Sequence, residues 1–337
     1  MRHYNKPTPK KLKAIVYNKY GGIEALQIKE VEKPSPKDNE VLVKVHAVSI
    51  NDWDWGKLDG NSLFNRLLSG LWKPKHQILG SDIAGRIEAV GKNVQEFQSG
   101  DEVFGDLSGK WGGFAEYVCA NEKALAHKPL SMTFEQAAAI PQAAMLAVQG
   151  LIDEGHIQKG QKLLINGAGG GVGTFGLQIA KLYDVEVTVV DSSDKLELLR
   201  SIGAAHVIDY TKEDFTKNSH QHYDLILDMK TNRPIYHYLR VLNPKGIYVT
   251  VGGSLSRLLQ AFLLKPCISV FSKKKVSIVM LKPNKDLAYM NELFQAGKVK
   301  PIIDGHYSLE DVANAFRLFG KAGHKGKIVI SVEGSTI

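Results

Sequence analysis

Leu163-Leu-Ile-Asn-Gly-Ala-Gly-Gly-Gly-Val-Gly-Thr-Phe-Gly-Leu-Gln-Ile-Ala-Lys181 decides how this chain is read. A short apolar run ends at Gly167 and passes through Ala168-Gly169-Gly170-Gly171-Val172-Gly173. It then opens into a segment that sets Phe175, Leu177, Ile179, Ala180 and Leu182 largely to one side. Strand, glycine turn and helix in that order form the phosphate-binding start of a dinucleotide fold. A side chain at the turn would hold a pyrophosphate away from the backbone N–H groups, and the helix N-terminus supplies donors and a favourable dipole. The first glycine of the usual G-x-G-x-x-G is Ala168 here, so the surrounding pattern carries the reading.

That pattern continues as the motif requires. Val185–Val190 reads as a second strand and ends at Asp191, which lies 18 residues beyond Gly173, about where a ribose-binding acid belongs. A helix (Lys195–Ile202), strands (His206–Tyr210 and Leu225–Asp228), a helix near Pro234–Leu242 and a strand (Ile247–Val251) follow. The alternation predicts a parallel, doubly wound sheet.

Residues 14–128 have a different texture. Short strands (Ala14–Tyr17, Glu40–Ser49, Ala84–Gly91, Glu102–Gly105, Phe114–Cys119) are separated by glycine turns, which predicts a barrel-like β domain. An alanine-rich helix, Thr133–Asp153, follows with Pro141 interrupting it. Lys285–Gly297 and Leu309–Phe319 read as helices, and His306–Tyr307 and Lys327–Val332 as strands. The tail is expected to rejoin the first domain. The expected division is therefore 1–128 plus 282–337 for the β domain and 129–281 for the inserted dinucleotide-binding domain.

The composition is that of an ordinary globular protein, and 337 residues are enough for two domains with a core each. Two cysteines, Cys119 and Cys267, exclude a disulfide framework and a four-cysteine zinc lobe, which points to a reducing, cytoplasmic setting. Both are assigned to packing. Met1–Lys13 is basic without an apolar core behind it, and so reads as an arm rather than a secretory signal. The net charge of +8 is spread among 35 acids without a nucleic-acid motif, so no nucleic-acid partner is expected. Leu258–Phe271 is the longest apolar candidate. Lys265-Pro266 interrupts it, so it is read as too short to span a membrane and as a buried interface segment, with a lipid-facing role flanked by Arg257 and Lys273–Lys275 as the alternative.

Beyond the glycine turn, four stretches carry a resemblance. They are Glu40–Asn51; Gly80-Ser-Asp-Ile-Ala-Gly85 with Val90-Gly91 and Ser99–Val103; Gly113-Phe-Ala-Glu-Tyr-Val118; and Gly323-His-Lys-Gly-Lys-Ile-Val329. From Leu12 to Val332 the chain resembles the medium-chain dehydrogenase/reductases of the zinc-independent quinone oxidoreductase (zeta-crystallin-like) type. The resemblance implies an α/β fold in which a Rossmann domain is inserted into a chaperonin-10-like (GroES-like) β-barrel. It also implies an NAD(P)H-dependent enzyme that reduces small-molecule quinones or α,β-unsaturated carbonyls, and a homodimer. In zinc-using relatives a cysteine stands where Asn51 is, a histidine–glutamate pair at Ser81-Asp82, and a third ligand near Pro141-Gln142. Amide and hydroxyl groups are poor zinc ligands, so no catalytic metal is expected.

Asn51 is the first candidate for contact with substrate or nicotinamide, with Asp54 and Lys57 as weaker candidates for proton delivery and Trp55 as a quinone-stacking wall. The cofactor candidates are Ala168, Gly170, Gly171, Val172, Gly173, Asp191, Ser192, Lys195, Tyr210, Gly252, Gly253 and Lys327. Asp191 argues for NAD(H), while Ser192, Lys195 and Tyr210 match the resemblance's NADPH pattern, and NADP(H) is favoured over NAD(H). Many relatives carry an aromatic hydroxyl where Trp55 stands and threonines where Gln142 and Leu146 stand. Those changes keep open a cofactor-binding sensor or scaffold, associated with RNA or a membrane. A zinc alcohol dehydrogenase is the third reading.

Overall fold

The computed structural model describes residues 11–60, 66–67, 69–218 and 221–332. The expected basic arm is therefore seen only from Lys11. The chain divides into two compact units. One comprises residues 1–141, 305–323 and 328–337, and the other residues 142–304 and 324–327. Residues 129–141 thus join the first unit and 282–304 the second, a shift from the expected limits at 128/129 and 281/282.

The first unit opens with the antiparallel pair β1 (Lys11–Val16) and β2 (Gln27–Glu32). It continues through β3 (Glu40–Ser49), helix α1 (Asp52–Asp59), β4 (Asp82–Val90), β5 (Glu102–Asp106), β6 (Tyr117–Asn121) and β7 (Ala126–His127). The alanine-rich stretch is broken as Pro141 predicts. Helix α2 (Phe134–Ala138), capped by Thr133, gives way to α3 (Pro141–Val148) and a π-helical turn over Gln149–Glu154.

The second unit carries the sheet. Strands β8 (Lys162–Asn166), β9 (Glu186–Asp191), β10 (His206–Asp209), β11 (Tyr223–Asp228), β12 (Leu242–Thr250) and β13 (Lys275–Ile278) run parallel in the order β10-β9-β8-β11-β12-β13. This is the doubly wound order in which the strand sequence reverses between β8 and β11, and ligands bind beyond the strand ends at such a switch point. Leu163, Leu164 and Ile165 are fully buried, as a central parallel strand covered on both faces must be. At the switch point, Asn166 Nδ2 donates to Asp228 Oδ1 at 2.8 Å, and the Tyr248 hydroxyl donates to Asp228 Oδ2 at 2.7 Å. A buried carboxylate is thereby supplied with donors.

Helices α4 (Gly171–Lys181), α5 (Leu196–Ser201), α6 (Ile235–Arg240), α7 (Leu255–Ser272) and α8 (Leu287–Gln295) complete this unit. The chain then returns to the first unit as β14 (Tyr307–Ser308), helix α9 (Val312–Gly320) and β15 (Val329–Ser331). β15 pairs with β3 and places the closing strand in the order β14-β15-β3-β4-β5-β7, with β6 also on β3. The insertion of one domain into the other is as expected.

Helix α7 corrects the sequence reading. It runs unbroken through Lys265-Pro266, and only Ala261 and Ile268 are buried in it. Among the described residues it is the helix long and apolar enough, at 18 residues, to cross a membrane by length and composition. An apolar run at helical spacing reads the same whether it packs inside or waits for something else, and so periodicity alone could not separate the two. Cys267, on this helix, is exposed rather than packed, whereas Cys119 is buried.

Candidate cofactor and substrate residues

In the second unit the glycine turn is built from both sides. Gly167 takes a left-handed φ of 85°, and its N–H donates to the Val190 carbonyl at 2.9 Å. A Cβ on Gly173 would lie 2.4 Å from Ala168 Cα, so this glycine allows helix and turn to touch. The other glycines serve a purpose the sequence did not reveal. A Cβ on Gly167 would meet Lys230 Cε at 2.9 Å, one on Gly169 would meet Lys195 Cδ at 2.4 Å, and one on Gly171 would meet Lys327 Cδ at 2.5 Å. Three lysine stems therefore lie on alternate residues of the turn. Gly170, the N-cap of α4, has only His324 Nε2 near its Cβ direction, at 4.0 Å, and no side chain caps the helix there.

Asp191 ends β9 and is buried. Its Oδ2 accepts the Gly169 N–H at 2.7 Å and its Oδ1 accepts the Ser192 N–H at 2.9 Å. The buried Lys195 ammonium lies 3.8 Å from Oδ1. The carboxylate thus ties β9 to the turn and balances one lysine. Tyr210 follows β10; its N–H donates to the Asp191 carbonyl at 3.2 Å, and its ring is exposed.

The C-terminal motif reaches the same place. Gly326 N–H donates to the Gly169 carbonyl at 2.8 Å, Lys327 N–H donates to the Ile302 carbonyl at 2.8 Å, and Lys327 is buried. His324 is pushed down to about 3, first by burial and then by Lys195, Lys230 and Lys327. Its imidazole is neutral at physiological pH. Lys230 and His324 stand beside the glycine turn, and the sequence analysis names neither as a candidate. His324 stood inside the quoted Gly323–Val329 motif, but nothing in the spacing linked it to residues 150 positions upstream. Of the last glycine pair, Gly252 faces open space, whereas Gly253 (φ 122°) lies against the Lys230 carbonyl, 2.3 Å from where a Cβ would be.

In the first unit, Asn51 stands at the N-cap of α1 and is buried. Its Nδ2 donates to Ser81 Oγ at 3.2 Å. Asp54 is fully buried, and its two oxygens accept the Asn51 N–H at 3.0 Å and the Gly80 N–H at 2.9 Å. Its carboxylate therefore fastens the start of α1 to the loop before β4. Trp55 packs against Phe316, Phe319 and Gly320 of α9, with ring centroids 6.5 and 6.4 Å apart for the two phenylalanines. Lys57 is buried, with its ammonium 2.7 Å from Ser69 Oγ and 4.1 Å from the Trp111 ring centre, and burial lowers its pKa.

Asn51, Ser81 and Asp82 gather within one hydrogen-bonded group, since Ser81 Oγ lies 3.5 Å from Asp82 Oδ1. This donor set of amide, hydroxyl and one carboxylate does not fit zinc, which takes thiolate, imidazole or several carboxylates. Among the described residues, no three His, Cys, Asp or Glu side chains stand close enough together to hold a metal ion.

Two family descriptions match the chain: "Alcohol dehydrogenase GroES-like domain" over residues 37–130 and "Zinc-binding dehydrogenase" over 202–330. The chain is 31% identical to an NADPH-dependent alkenal/one oxidoreductase, chloroplastic, of Arabidopsis thaliana, over 96% of this chain and 80% of that one. It is 30% identical to a chloroplastic quinone-oxidoreductase of Triphysaria versicolor, over 95% and 98% respectively. Its structure is similar to that of the quinone oxidoreductase from Coxiella burnetii, with a TM-score of 0.85 and 26% identity over 96% of this chain and 100% of that one. The chain belongs to the medium-chain dehydrogenase/reductase superfamily, in its quinone oxidoreductase-like family, and is an oxidoreductase.

Proposed function

We propose that this enzyme reduces quinones and the activated double bonds of α,β-unsaturated carbonyl compounds, with NADPH in preference to NADH. The observation that carries the cofactor assignment is the state of Asp191. Both of its oxygens accept backbone N–H groups, and its charge is met by Lys195. A carboxylate held in this way repels a ribose 2′-phosphate less than an unpaired one would, because the lysine offsets its field. Ser192, Lys195 and Tyr210 are assigned to that phosphate, and Gly170, Gly171, Val172 and Gly173 to the pyrophosphate at the start of α4. Ala168 is assigned to shaping the turn and Gly252 and Gly253 to the nicotinamide side, while Lys327, whose stem lies beside Gly171, is assigned to adding positive charge there.

When bound, the cofactor supplies the hydride. The chain's own groups have to orient the substrate, exclude water and stabilise the oxygen on which charge collects. For enones and quinones that charge is delocalised from carbon to oxygen, so hydrogen-bond donors suffice where a plain ketone would need a Lewis acid. The names of the Arabidopsis and Triphysaria relatives support this substrate class. Asn51, oriented by Ser81, is assigned to substrate or nicotinamide contact. Asp54 is assigned to positioning Asn51, and Trp55 to the packing that supports α1.

The test is parallel titration with NADPH and NADH, followed by turnover on quinones, enones and saturated ketones. Preferential NADPH binding with oxidation by quinones or enones is expected. Preference for NADH would return the decision to Asp191, and tight binding without turnover on any of these substrates would refute the enzymatic assignment. Asn51→Ala is expected to slow reduction while leaving cofactor affinity nearly intact.

A further inference from the structure

Helix α7 has an exposed apolar face that the dinucleotide fold does not use. Leu259, Phe262, Leu263 and Val270 are 52%, 64%, 69% and 74% exposed, and Phe271 at its end is 87% exposed. Positions 259, 263, 266 and 270 recur at helical spacing, so Leu259, Leu263, Pro266 and Val270 form one stripe over three turns. The helix is moored to its unit through Ala261 and Ile268, seven residues apart on the other side. Neighbouring α6 adds the exposed Tyr236.

The segment that carries this face is basic in sequence, although within it Arg233 and Lys285 pair with Asp214 and Asp153 from elsewhere and Lys230 lies at the glycine turn. Between Asp228 and Asp286 the chain has 57 residues with eleven lysines and arginines and no acid. Arg257 and Lys265 lie on the helix itself, and Lys273, Lys274 and Lys275 follow its end directly, with Lys265, Lys273 and Lys275 exposed. Lys274 is drawn inward and donates to the Leu239 carbonyl at 2.5 Å.

We propose that α7 docks on the surface of an anionic lipid bilayer, its apolar stripe entering the headgroup–acyl boundary while the lysines meet lipid phosphates. A helix with aromatic and aliphatic residues on one side and basic flanks is suited to that plane. Spanning is disfavoured because Lys265 sits at the middle of the helix, where a membrane-crossing segment would bury its charge in hydrocarbon. A second copy is a poorer occupant. A two-fold interface brings a patch onto itself, so the lysines would face lysines with no carboxylate in the segment to meet them.

The test is flotation of the full chain with vesicles of phosphatidylcholine plus phosphatidylglycerol, against vesicles of phosphatidylcholine alone. The chain is expected to float with the anionic vesicles and to be released by salt. Lys273→Gln with Lys275→Gln is expected to lower the partition coefficient roughly twenty-five-fold, at about fivefold per basic residue. Phe262→Ser with Phe271→Ser is expected to abolish flotation. Neither pair should change thermal unfolding or turnover on a water-soluble quinone. Absence of flotation, or flotation unaffected by the phenylalanine pair, overturns the proposal. So does a dimer, measured by light scattering, that the phenylalanine pair converts to monomer, because a second copy would then cover the helix.

Discussion

Two helices of this molecule begin in opposite ways. The first N–H groups of any helix lack intrahelical partners. At α1 the fold closes the end with its own groups: Asp54 turns back onto the Asn51 N–H and also takes the Gly80 N–H, and the carboxylate is fully buried. At α4 the N-cap is Gly170, which has no side chain to offer, and three lysines and a neutral histidine stand around it. One terminus is used for architecture and the other is assigned to an anion. The contrast gives Asp54, a sequence candidate for proton delivery, a structural bond at each oxygen, and it brings His324, for which the sequence carries no expectation, beside the turn.

The largest test of the contrast is Gly173→Val. Its new side chain would collide with the Ala168 backbone, so we expect about 3 kcal/mol lost in thermal or denaturant unfolding together with cofactor affinity. Gly170→Ala should leave stability unchanged, because its Cβ direction is open, and still weaken NADPH binding. If Gly170→Ala binds NADPH like the parent, the phosphate does not approach α4 at its cap.

Asp54→Ala comes next. It leaves two backbone N–H groups without their acceptor, and we expect about 2 kcal/mol of lost stability. The variant that decides the role is Asp54→Asn, which keeps one acceptor oxygen. Retained turnover with a lowered unfolding midpoint supports positioning; abolished turnover in a variant of parental stability would restore Asp54 to proton delivery.

These cases mark what the sequence could carry. The doubly wound sheet was legible because its signal is local: Leu163–Gly173 spells strand, turn and helix without help from distant residues, and Asp191 arrives at the right distance. Helix α1 carries no periodic helical signal in the sequence, since Asp52–Asp59 contains two tryptophans, a glycine and three aspartates rather than an apolar stripe. Its signal was the Asn51/Asp54 spacing of a capping box. The fourth to sixth strands were only partly seen; β13 is four residues long and starts in a lysine run. The lysine stems on Gly167, Gly169 and Gly171 come from 26 to 156 residues farther along the chain, and no pattern within the turn records them.

Lys195→Ala probes the anion side alone. It should weaken NADPH by about 1.5 kcal/mol, roughly tenfold, and NADH by much less. Equal losses for the two nucleotides would make Lys195 a counter-ion for Asp191 and nothing more.

The smallest effect is a proton. Burial and the three lysines hold His324 at about 3, against an ordinary value of 6.5, with Asp191, Asp194 and Asp304 as carboxylates on neighbouring segments. The folded protein therefore binds fewer protons than the unfolded chain between those values, and this group's contribution makes stability fall as pH drops through that window. A phosphate brought beside Gly170 acts in the opposite sense: its negative charge raises the histidine's pKa, so binding takes up protons in mildly acidic buffer. Calorimetric titration of NADPH in two buffers of different ionisation enthalpy reads that uptake directly. His324→Asn should remove it while leaving the Lys195 contribution in place. Proton uptake that survives His324→Asn, or that is absent from the parent, would separate His324 from the phosphate and leave the cationic end of α4 to its lysines alone.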